Sequence, residues 1–323
     1  MKIEAKVGSD DIAVVYVGKF DDGELVEFVE AIQPPMPREQ KWVLMLSTLY
    51  GCPVECQMCD AGGFYHGKIS KERLLAQLDY MVDRHYPDRV IPCKQFKIQF
   101  ARMGEPTFNP AVLEVLEALP THYQAPGMMP SLSTIAPRGV DSFFDRLIEI
   151  KDRHYPNGQF QFQFSLHTSD QELRKQLIPV KTWSFEEMSA YGDRYYQPGD
   201  RKITLNFALA KDIPLRPEDL LPHFSPEKFL IKITPLNPTY TAETHGLDSY
   251  IDTETGQMSG QVAEALEAAG YRVIVSVGAL EENRIGSNCG QYVLKHVMAE
   301  SKLSSGYIYR IEHFSKEEDY ARS

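Results

Sequence analysis

Residues 42–60, WVLMLSTLYGCPVECQMCD, open on an apolar run suited to a strand and close on three cysteines set three and two residues apart. Trp42 to Leu49 reads as that strand, and Gly51 and Pro53 interrupt regular structure just beyond it. Outward from this stretch the same pattern repeats. Apolar, β-branched or aromatic runs at 96–101, 129–134, 160–166, 202–209, 229–234 and 271–277 read as further strands. Amphipathic segments at 70–84, 110–118, 140–153, 185–194 and 258–269 read as the helices between them. Ser184 with Glu187 three residues later is a full capping-box signal, whereas Ser70 with Arg73 is only half of one. Repeated strand-then-helix units predict a parallel sheet. This many predict an α/β chain folded as a partial (β/α) TIM-like barrel. In such barrels chemistry sits on the loops after the strands, where the cysteines fall.

The flanks read differently. Ile12 to Lys19 and Leu25 to Ile32 alternate around Asp21-Asp22-Gly23, a small β-hairpin, and Gln33-Pro34-Pro35-Met36-Pro37 then acts as a linker. The expected division is a hairpin extension and linker at 1–37, a barrel at 38–295 and a C-terminal extension at 296–323. After Tyr292 the chain should add a helix and a strand at 306–311, then fray over the charged residues 315–323. No apolar run approaches the ~20 residues that span a bilayer, and MKIEAKVGSDD lacks the apolar core of a signal peptide. The expectation is therefore a cytoplasmic protein with no membrane partner. Asp plus Glu number 45 against 34 Lys plus Arg, a formal net charge of −11. Nucleic-acid affinity comes largely from cations placed on phosphates, so this balance disfavours extensive RNA contact and favours a small substrate. Lys68, Lys71 and Arg73 form a local basic run that reads as a solvated helix face.

Five cysteines stand at 52, 56, 59, 93 and 289. An odd number with three in eight residues is not a disulfide framework. Clustered thiols in a reducing compartment are metal ligands or catalytic groups. Three thiolates on one loop can hold three corners of a cubane cluster and leave the fourth iron open, whereas most Fe–S carriers use four cysteines. Zinc is the alternative, with His66 as its fourth ligand.

This triplet after the first strand resembles the signature of radical-SAM enzymes, with Met58 where that superfamily usually has an aromatic residue. The resemblance implies a 4Fe-4S cluster on Cys52, Cys56 and Cys59. It also implies S-adenosyl-L-methionine chelated to the open iron and cleaved reductively, and an electron donor such as flavodoxin or ferredoxin. Further stretches resemble the RlmN/Cfr class of methylases, in order, over about residues 20 to 295. Met103-Gly104-Glu105-Pro106 is similar to its GMGEP, which makes Gly104 and Glu105 candidates to bind the cofactor's ammonium. Ser131-Leu132-Ser133-Thr134-Ile135 points to Ser133, and Phe164-Ser165-Leu166-His167, followed by Glu172-Leu173-Arg174, points to Ser165, Leu166 and His167. Thr234-Pro235-Leu236-Asn237-Pro238 points to Asn237 near the adenosine. Asn288-Cys289-Gly290-Gln291 resembles the late ACGQL, which implies that Cys289 carries the transferred methyl group. Asp22-Gly23-Glu24-Leu25-Val26-Glu27 resembles DGxxIETV, with Glu27 in the place of a proton acceptor. Taken singly, Glu105 reads as an N-cap, Ser133 as a satisfied strand hydroxyl, His167 as a core histidine and Glu27 as an exposed hairpin acid.

Two departures accompany the resemblance. The family's resolving cysteine falls near Leu44-Met45-Leu46, and no cysteine precedes Cys52. Cys93, before the second barrel strand, belongs to the opposite face and reads as structural. The chain also begins almost at the hairpin, without the family's N-terminal helical domain, so the expected substrate is a small molecule or an RNA of modest size. The expected function is methyl transfer to an sp2 carbon. Radical hydrogen abstraction or rearrangement without methyl transfer stands second, and a non-catalytic metal-binding protein third.

Overall fold

The computed structural model describes residues 1–252, 255–303 and 306–314. Three antiparallel strands lead: β1 (Lys2–Ser9), β2 (Ala13–Lys19) and β3 (Leu25–Ile32). β4 (Trp42–Leu46) follows, then β5 (Leu49–Tyr50) and β6 (Gly67–Lys68), a two-stranded clasp that brackets the cysteine loop. Strand and helix then alternate through α1 (Lys71–His85), β7 (Phe96–Phe100), α2 (Ala111–His122), β8 (Met128–Thr134), α3 (Asp141–His154) and β9 (Gln161–Ser165). Two helices, α4 (Gln171–Leu177) and α5 (Phe185–Tyr195), precede β10 (Ile203–Leu209). The chain continues with α6 (Pro217–Leu220), β11 (Phe229–Pro235), α7 (Tyr240–Thr244), α8 (Gln261–Ala268), β12 (Val273–Val275), α9 (Leu280–Ile285), α10 (Val293–Met298) and β13 (Glu312–His313). Each strand and helix expected between 42 and 277 is present within a few residues. The added short helices are one or two turns long, too brief for a periodic signal.

One eleven-stranded sheet runs in the order β12-β11-β10-β9-β8-β7-β4-β3-β2-β1-β13. From β4 to β12 all neighbours are parallel, and β3, β2 and β1 continue the sheet antiparallel beyond β4. The expected hairpin is there with a third strand on its outer edge. The signal for β1 lay in Ile3, Ala5 and Val7, which alternate and are all buried. Residues 306–311 are not a strand: Tyr307 has φ 58, a left-handed conformation that cannot continue a pleat. Pairing with β1 begins only at Glu312. The charged residues 315–323 lie outside the described residues.

Strand residues alternate between two faces. One set, including Leu44, Ile98, Phe100, Phe162, Phe164, Leu205, Phe207, Ile231 and Ile233, is fully buried against the helices. The other set is mostly polar: Lys97, Gln99, Ser131, Ser133, Gln163, Ser165, Thr204, Asn206, Lys232 and Thr234. That second face is the inside of a curl. In a flat sheet the ends of β4 and β11 would stand five strand spacings apart, about 24 Å. Yet Thr239, just after β11, donates its hydroxyl to the carbonyl of Met58 in the loop after β4, at 3.1 Å. The parallel strands therefore bend into a partial barrel with its strand ends gathered around one mouth.

Phe162 anchors the helix-covered face, with ring centroids 4.9 Å from Phe164, 5.0 Å from Tyr195 and 5.5 Å from Tyr191. Phe162→Ala should cost about 3–5 kcal/mol in unfolding free energy, measured by denaturant titration.

Candidate active site

The cysteine loop has its shape from backbone constraints. Gly51 has φ 73, and a Cβ there would lie 2.6 Å from the Phe64 carbonyl oxygen; a Cβ on Gly62 would lie 2.9 Å from the Cα of Glu55. The loop thus folds back on itself so closely that two positions accept only hydrogen. Cys59 donates its N–H to the Cys56 carbonyl at 3.1 Å, a tight turn between those two ligand candidates. The three thiols lie in one another's electric fields. Burial pushes the Cys52 thiol up to about 11, with the Glu105 charge adding to the rise. Burial followed by the charges of Cys59 and Cys52 raises Cys56, and burial followed by Cys289 and Cys52 raises Cys59. Three soft sulfurs on one short loop are the donor chemistry of an iron–sulfur centre.

Among the described residues no three His, Cys, Asp or Glu side chains close around a single-ion centre. A cubane, whose ligated irons occupy separate corners, spreads its thiolates wider than one ion does. His66, the candidate fourth zinc ligand, is engaged elsewhere: Nδ1 meets the Phe64 carbonyl at 2.8 Å and Nε2 meets Glu24 at 2.6 Å. The residues present fit the cluster better than they fit zinc.

Beside the thiols runs a buried polar strip. Gly104 has φ 91, and a Cβ there would sit 2.5 Å from the Leu49 side chain. Glu105 caps the 3-10 turn Pro106–Phe108, and its Oε1 accepts from the Thr107 amide and hydroxyl and from the Thr134 hydroxyl at 2.6 Å. Oε2 accepts from the Ile135 amide at 3.0 Å and keeps one lone pair for a further donor. Burial raises the Glu105 carboxyl despite these donors. Arg174, on α4, lies within the fields of Cys56 and Glu105, and burial lowers its guanidinium to about 10. It ties the ends of β8 and β9 to the α4–α5 loop through the Ile135 carbonyl at 2.7 Å, the Ser165 carbonyl at 3.3 Å and the Thr182 hydroxyl at 2.6 Å. Among the described residues its Nε has no partner. Ser133 accepts from Gln163 at 3.1 Å on the inner face. Leu166 is buried with its amide on the Asn206 carbonyl. His167 has φ 68, and its Nδ1 accepts the Ala208 amide at 3.2 Å. That leaves the ring proton on Nε2, and burial followed by the Arg174 charge lowers the imidazole to about 4.

Cys289 sits on a turn clamped to this strip from three sides. Asn237 donates to the Cys289 carbonyl at 2.9 Å. Arg102 donates to the Asn288 carbonyl at 3.0 Å and the Gly286 carbonyl at 2.9 Å. The Gly290 carbonyl accepts the Asp60 amide at 2.8 Å, and a Cβ on Gly290 would approach the Met58 carbonyl to 3.1 Å. The thiol is solvent-accessible but recessed among protein groups. Burial raises it, while Arg102 and Lys232 pull it back down. Cys93 is buried in the loop just before β7, 3.6 Å from the Tyr86 hydroxyl, at the opposite end of the strands.

Glu27 is not exposed on its hairpin. It is fully buried, its Oε2 accepts from Arg102 at 2.7 Å, and its two oxygens also take the Val293 and Leu294 amides that open α10. Its carboxylate therefore faces an ion pair and a helix start. Several residues that shape the site did not stand out in the sequence. Asp60 directly follows the third cysteine, Arg102 directly precedes Met103, and Arg174 closes the Glu172-Leu173-Arg174 run. Their adjacency to motifs was the available signal.

Cysteine loop and curled parallel sheet together make a partial barrel with three thiols on the loop that follows its first parallel strand. A radical SAM methyltransferase from Sphaerobacter thermophilus has this fold, with a TM-score of 0.66 over 90% of this chain and 80% of that one at 20% identity. No protein-family model matches the chain. In sequence the chain is similar to proteins named "Probable dual-specificity RNA methyltransferase RlmN". The Trichormus variabilis relative is 28% identical over 235 residues, 71% of this chain and 61% of the relative. The Thermus thermophilus relative is 25% identical over 300 residues, 89% of this chain and 76% of the relative. The chain spans about three fifths of the length of the first of these relatives. In sequence it resembles RlmN-named methyltransferases, and in fold a radical SAM methyltransferase.

Three outcomes follow from this geometry. Gly104→Ala, with a Cβ driven into the buried Leu49 and a left-handed φ, should lose at least about 1 kcal/mol of stability in denaturant titration. Glu27→Gln leaves the Arg102 charge unpaired and should cost about 3–5 kcal/mol by the same measurement. His167 should remain the neutral Nε2–H tautomer from pH 8 down to pH 5 in nitrogen NMR. Because its folded value lies below the unfolded one, its contribution to stability is full above about 6.5 and is lost as pH falls toward 4.

Proposed function

We propose that this chain is a 4Fe-4S-dependent radical-SAM methyltransferase of the RlmN/Cfr type, with Cys289 as its methyl carrier. The observation that carries the reading is the placement of Cys289. A spare, accessible thiol from the far end of the chain stands in the field of Cys59, the third thiol of the loop. Cys52, Cys56 and Cys59 would hold the cluster, with Gly104, Glu105, Ser133, Ser165, Leu166, His167 and Asn237 around S-adenosylmethionine. When bound, these groups supply a carbon-centred radical and an electrophilic methyl group.

The chain's own residues account for the rest. Glu105 offers its remaining Oε2 lone pair to an ammonium. His167 offers a neutral N–H donor. Asn237 and Arg102 fix the backbone of the Cys289 turn, and while burial raises the Cys289 thiol, the charges of Arg102 and Lys232 offset part of that rise toward the nucleophilic thiolate. Tyr292, stacked on Phe64 at 5.4 Å, packs with Met103 beside Cys52 and Cys59 and excludes water there. Glu27 we assign to positioning: its ion pair with Arg102 holds the group that holds Cys289. The substrate is an sp2 carbon in a small molecule or a modest RNA, since the net charge of −11 opposes wide RNA contact. Electrons would come from a flavodoxin or ferredoxin.

One observation favours radical chemistry without methyl transfer as a second reading. Of Leu44, Met45 and Leu46, only Met45 faces the barrel interior, and its thioether cannot resolve a covalent adduct as a thiol can. The test is anaerobic reconstitution with iron and sulfide, reduction by dithionite with S-adenosylmethionine, and mass spectrometry of the products and of the Cys289 peptide. Release of 5′-deoxyadenosine with a methyl mass on Cys289 supports methyl transfer. Release with no methyl mark moves the assignment to the second reading, and zinc in place of iron with no cleavage removes both. Alanine at Cys52, Cys56 and Cys59 should reduce bound iron from about four per chain to near zero; Cys289→Ala should keep the iron and lose the methyl mark.

A further inference from the structure

The barrel interior holds cations that the cofactor reading does not use. Lys97, the second residue of β7, and Lys232, midway along β11, both belong to the inner, polar face of the sheet. Lys97 is only 9% exposed. Lys232 is half-buried. Among the described residues neither ammonium has a hydrogen bond or an ion pair, and neither Nζ is sealed from solvent. Both therefore open into the lumen without the partner that a mostly buried cation ordinarily has. The charges that reach Lys97 are those of Lys232, Lys41 and Arg201, all positive, and with burial as the largest cause they lower it to about 7. Lys41 and Arg201 stand just before β4 and β10, at the end of the barrel opposite the cysteine loop. Lys41 is bonded to Gln33 at 2.5 Å and Arg201 to the Gly158 carbonyl at 2.8 Å. Glu282 is the acid whose charge reaches Lys41. Toward the other end, Lys232 lies in the field of Cys289. Positive groups thus extend from the barrel floor up to the spare thiol.

Stability does not explain such an arrangement. Two unpaired lysines in one lumen repel each other and oppose folding, and an apolar side chain of similar volume would be better there. A dianion between them would remove both costs. We propose that Lys97 and Lys232 bind the terminal phosphate of a small phosphorylated substrate lodged in the barrel interior beneath Cys289. This rests on the reading of Cys289 as the working thiol. The depth of Lys97 selects the kind of phosphate. A phosphodiester within a polynucleotide carries a sugar on both sides and cannot reach the floor of a lumen, whereas a phosphomonoester ends its chain and carries up to two charges. Gln99, Ser131, Gln163 and Asn206 line the same face and can hydrogen-bond a sugar or a base above it.

The experiment titrates the full chain with inorganic phosphate, ribose 5-phosphate, ribose and an RNA oligonucleotide lacking a terminal phosphate, by calorimetry and thermal unfolding. Inorganic phosphate and ribose 5-phosphate should bind and raise Tm, and ribose and the oligonucleotide should not. Lys97→Gln and Lys232→Gln should each weaken phosphate binding at least tenfold, and Lys97→Arg should largely restore it. Because Lys97→Gln removes an unpaired buried charge, its unliganded Tm should equal or exceed that of the parent. A lower Tm together with lost binding would mark Lys97 as structural and overturn the proposal. Undiminished phosphate binding in both glutamine variants, or equal competition by the oligonucleotide, would overturn it as well. S-adenosylmethionine cleavage by the parent chain separates the two readings. Cleavage without phosphate binding sinks the phosphate site alone, and phosphate binding without cleavage sinks the radical assignment while the anion site stands.

Discussion

The buried carboxylate of Asp60 joins segments that the sheet alone would keep apart. Its Oδ1 accepts the Thr241 amide and hydroxyl, both at 2.9 Å, and its Oδ2 accepts the Tyr240 amide and the Tyr307 hydroxyl, both at 3.2 Å. Its own amide meets Gly290. One residue thereby ties the cysteine loop to the loop after β11, to the Cys289 turn and to the C-terminal extension. A hydrogen bond to a charged group contributes about 1.5–3 kcal/mol net. The geometric consequence is larger, because these bonds hold the sheet curled and bring Cys59 and Cys289 into one field. Tyr307, whose left-handed backbone ends the expected strand, uses that bend to place its hydroxyl between Asp60 and the Tyr292 amide at 2.9 Å.

Around that clamp the protein buries charge where apolar packing would be more stable. The Glu27–Arg102 ion pair and the buried charges of Glu105 and Arg174 flank the thiols, and among the described residues each arginine keeps an unpartnered Nε. Buried ion pairs add little net stability, since desolvation offsets attraction. They do fix direction. Arg102 can reach the Gly286 and Asn288 carbonyls only while Glu27 orients it, and Arg174 ties the ends of β8 and β9 to the loop after α4 through its fork of N–H groups. In a site of low dielectric such fixed charges also act strongly on a nearby thiol.

The inner face follows the same logic. A closed eight-stranded barrel fills its centre with branched apolar side chains. Here the corresponding positions carry amides, hydroxyls and lysines, so the curl encloses a space suited to a polar ligand. The apolar requirement is met on the other face, where helices cover Phe96, Phe162, Phe207 and Phe229. A sheet with one apolar and one polar face is stable as a half-covered curl and leaves its interior available for chemistry.

Much of this was legible in the residues. Alternation and helical periodicity located the strands and helices between 42 and 277, since each pattern reflects burial on one side of a local element. The C-x3-C-x2-C spacing located the cysteine loop, because a loop short enough to gather three thiols must write them close together. Other features depend on segments far apart in sequence. Nothing local in Glu27 distinguishes an exposed hairpin acid from the fully buried partner of a residue 75 positions away. Nothing in Asn237 shows that it holds the carbonyl of Cys289, 52 residues on. The lysines of β7 and β11 share a lumen only because the sheet bends. The sequence by itself determined the strands and longer helices between 42 and 277 and the cysteine loop; which charges became partners was decided by the tertiary curl, because burial and pairing are properties of the space that distant segments enclose.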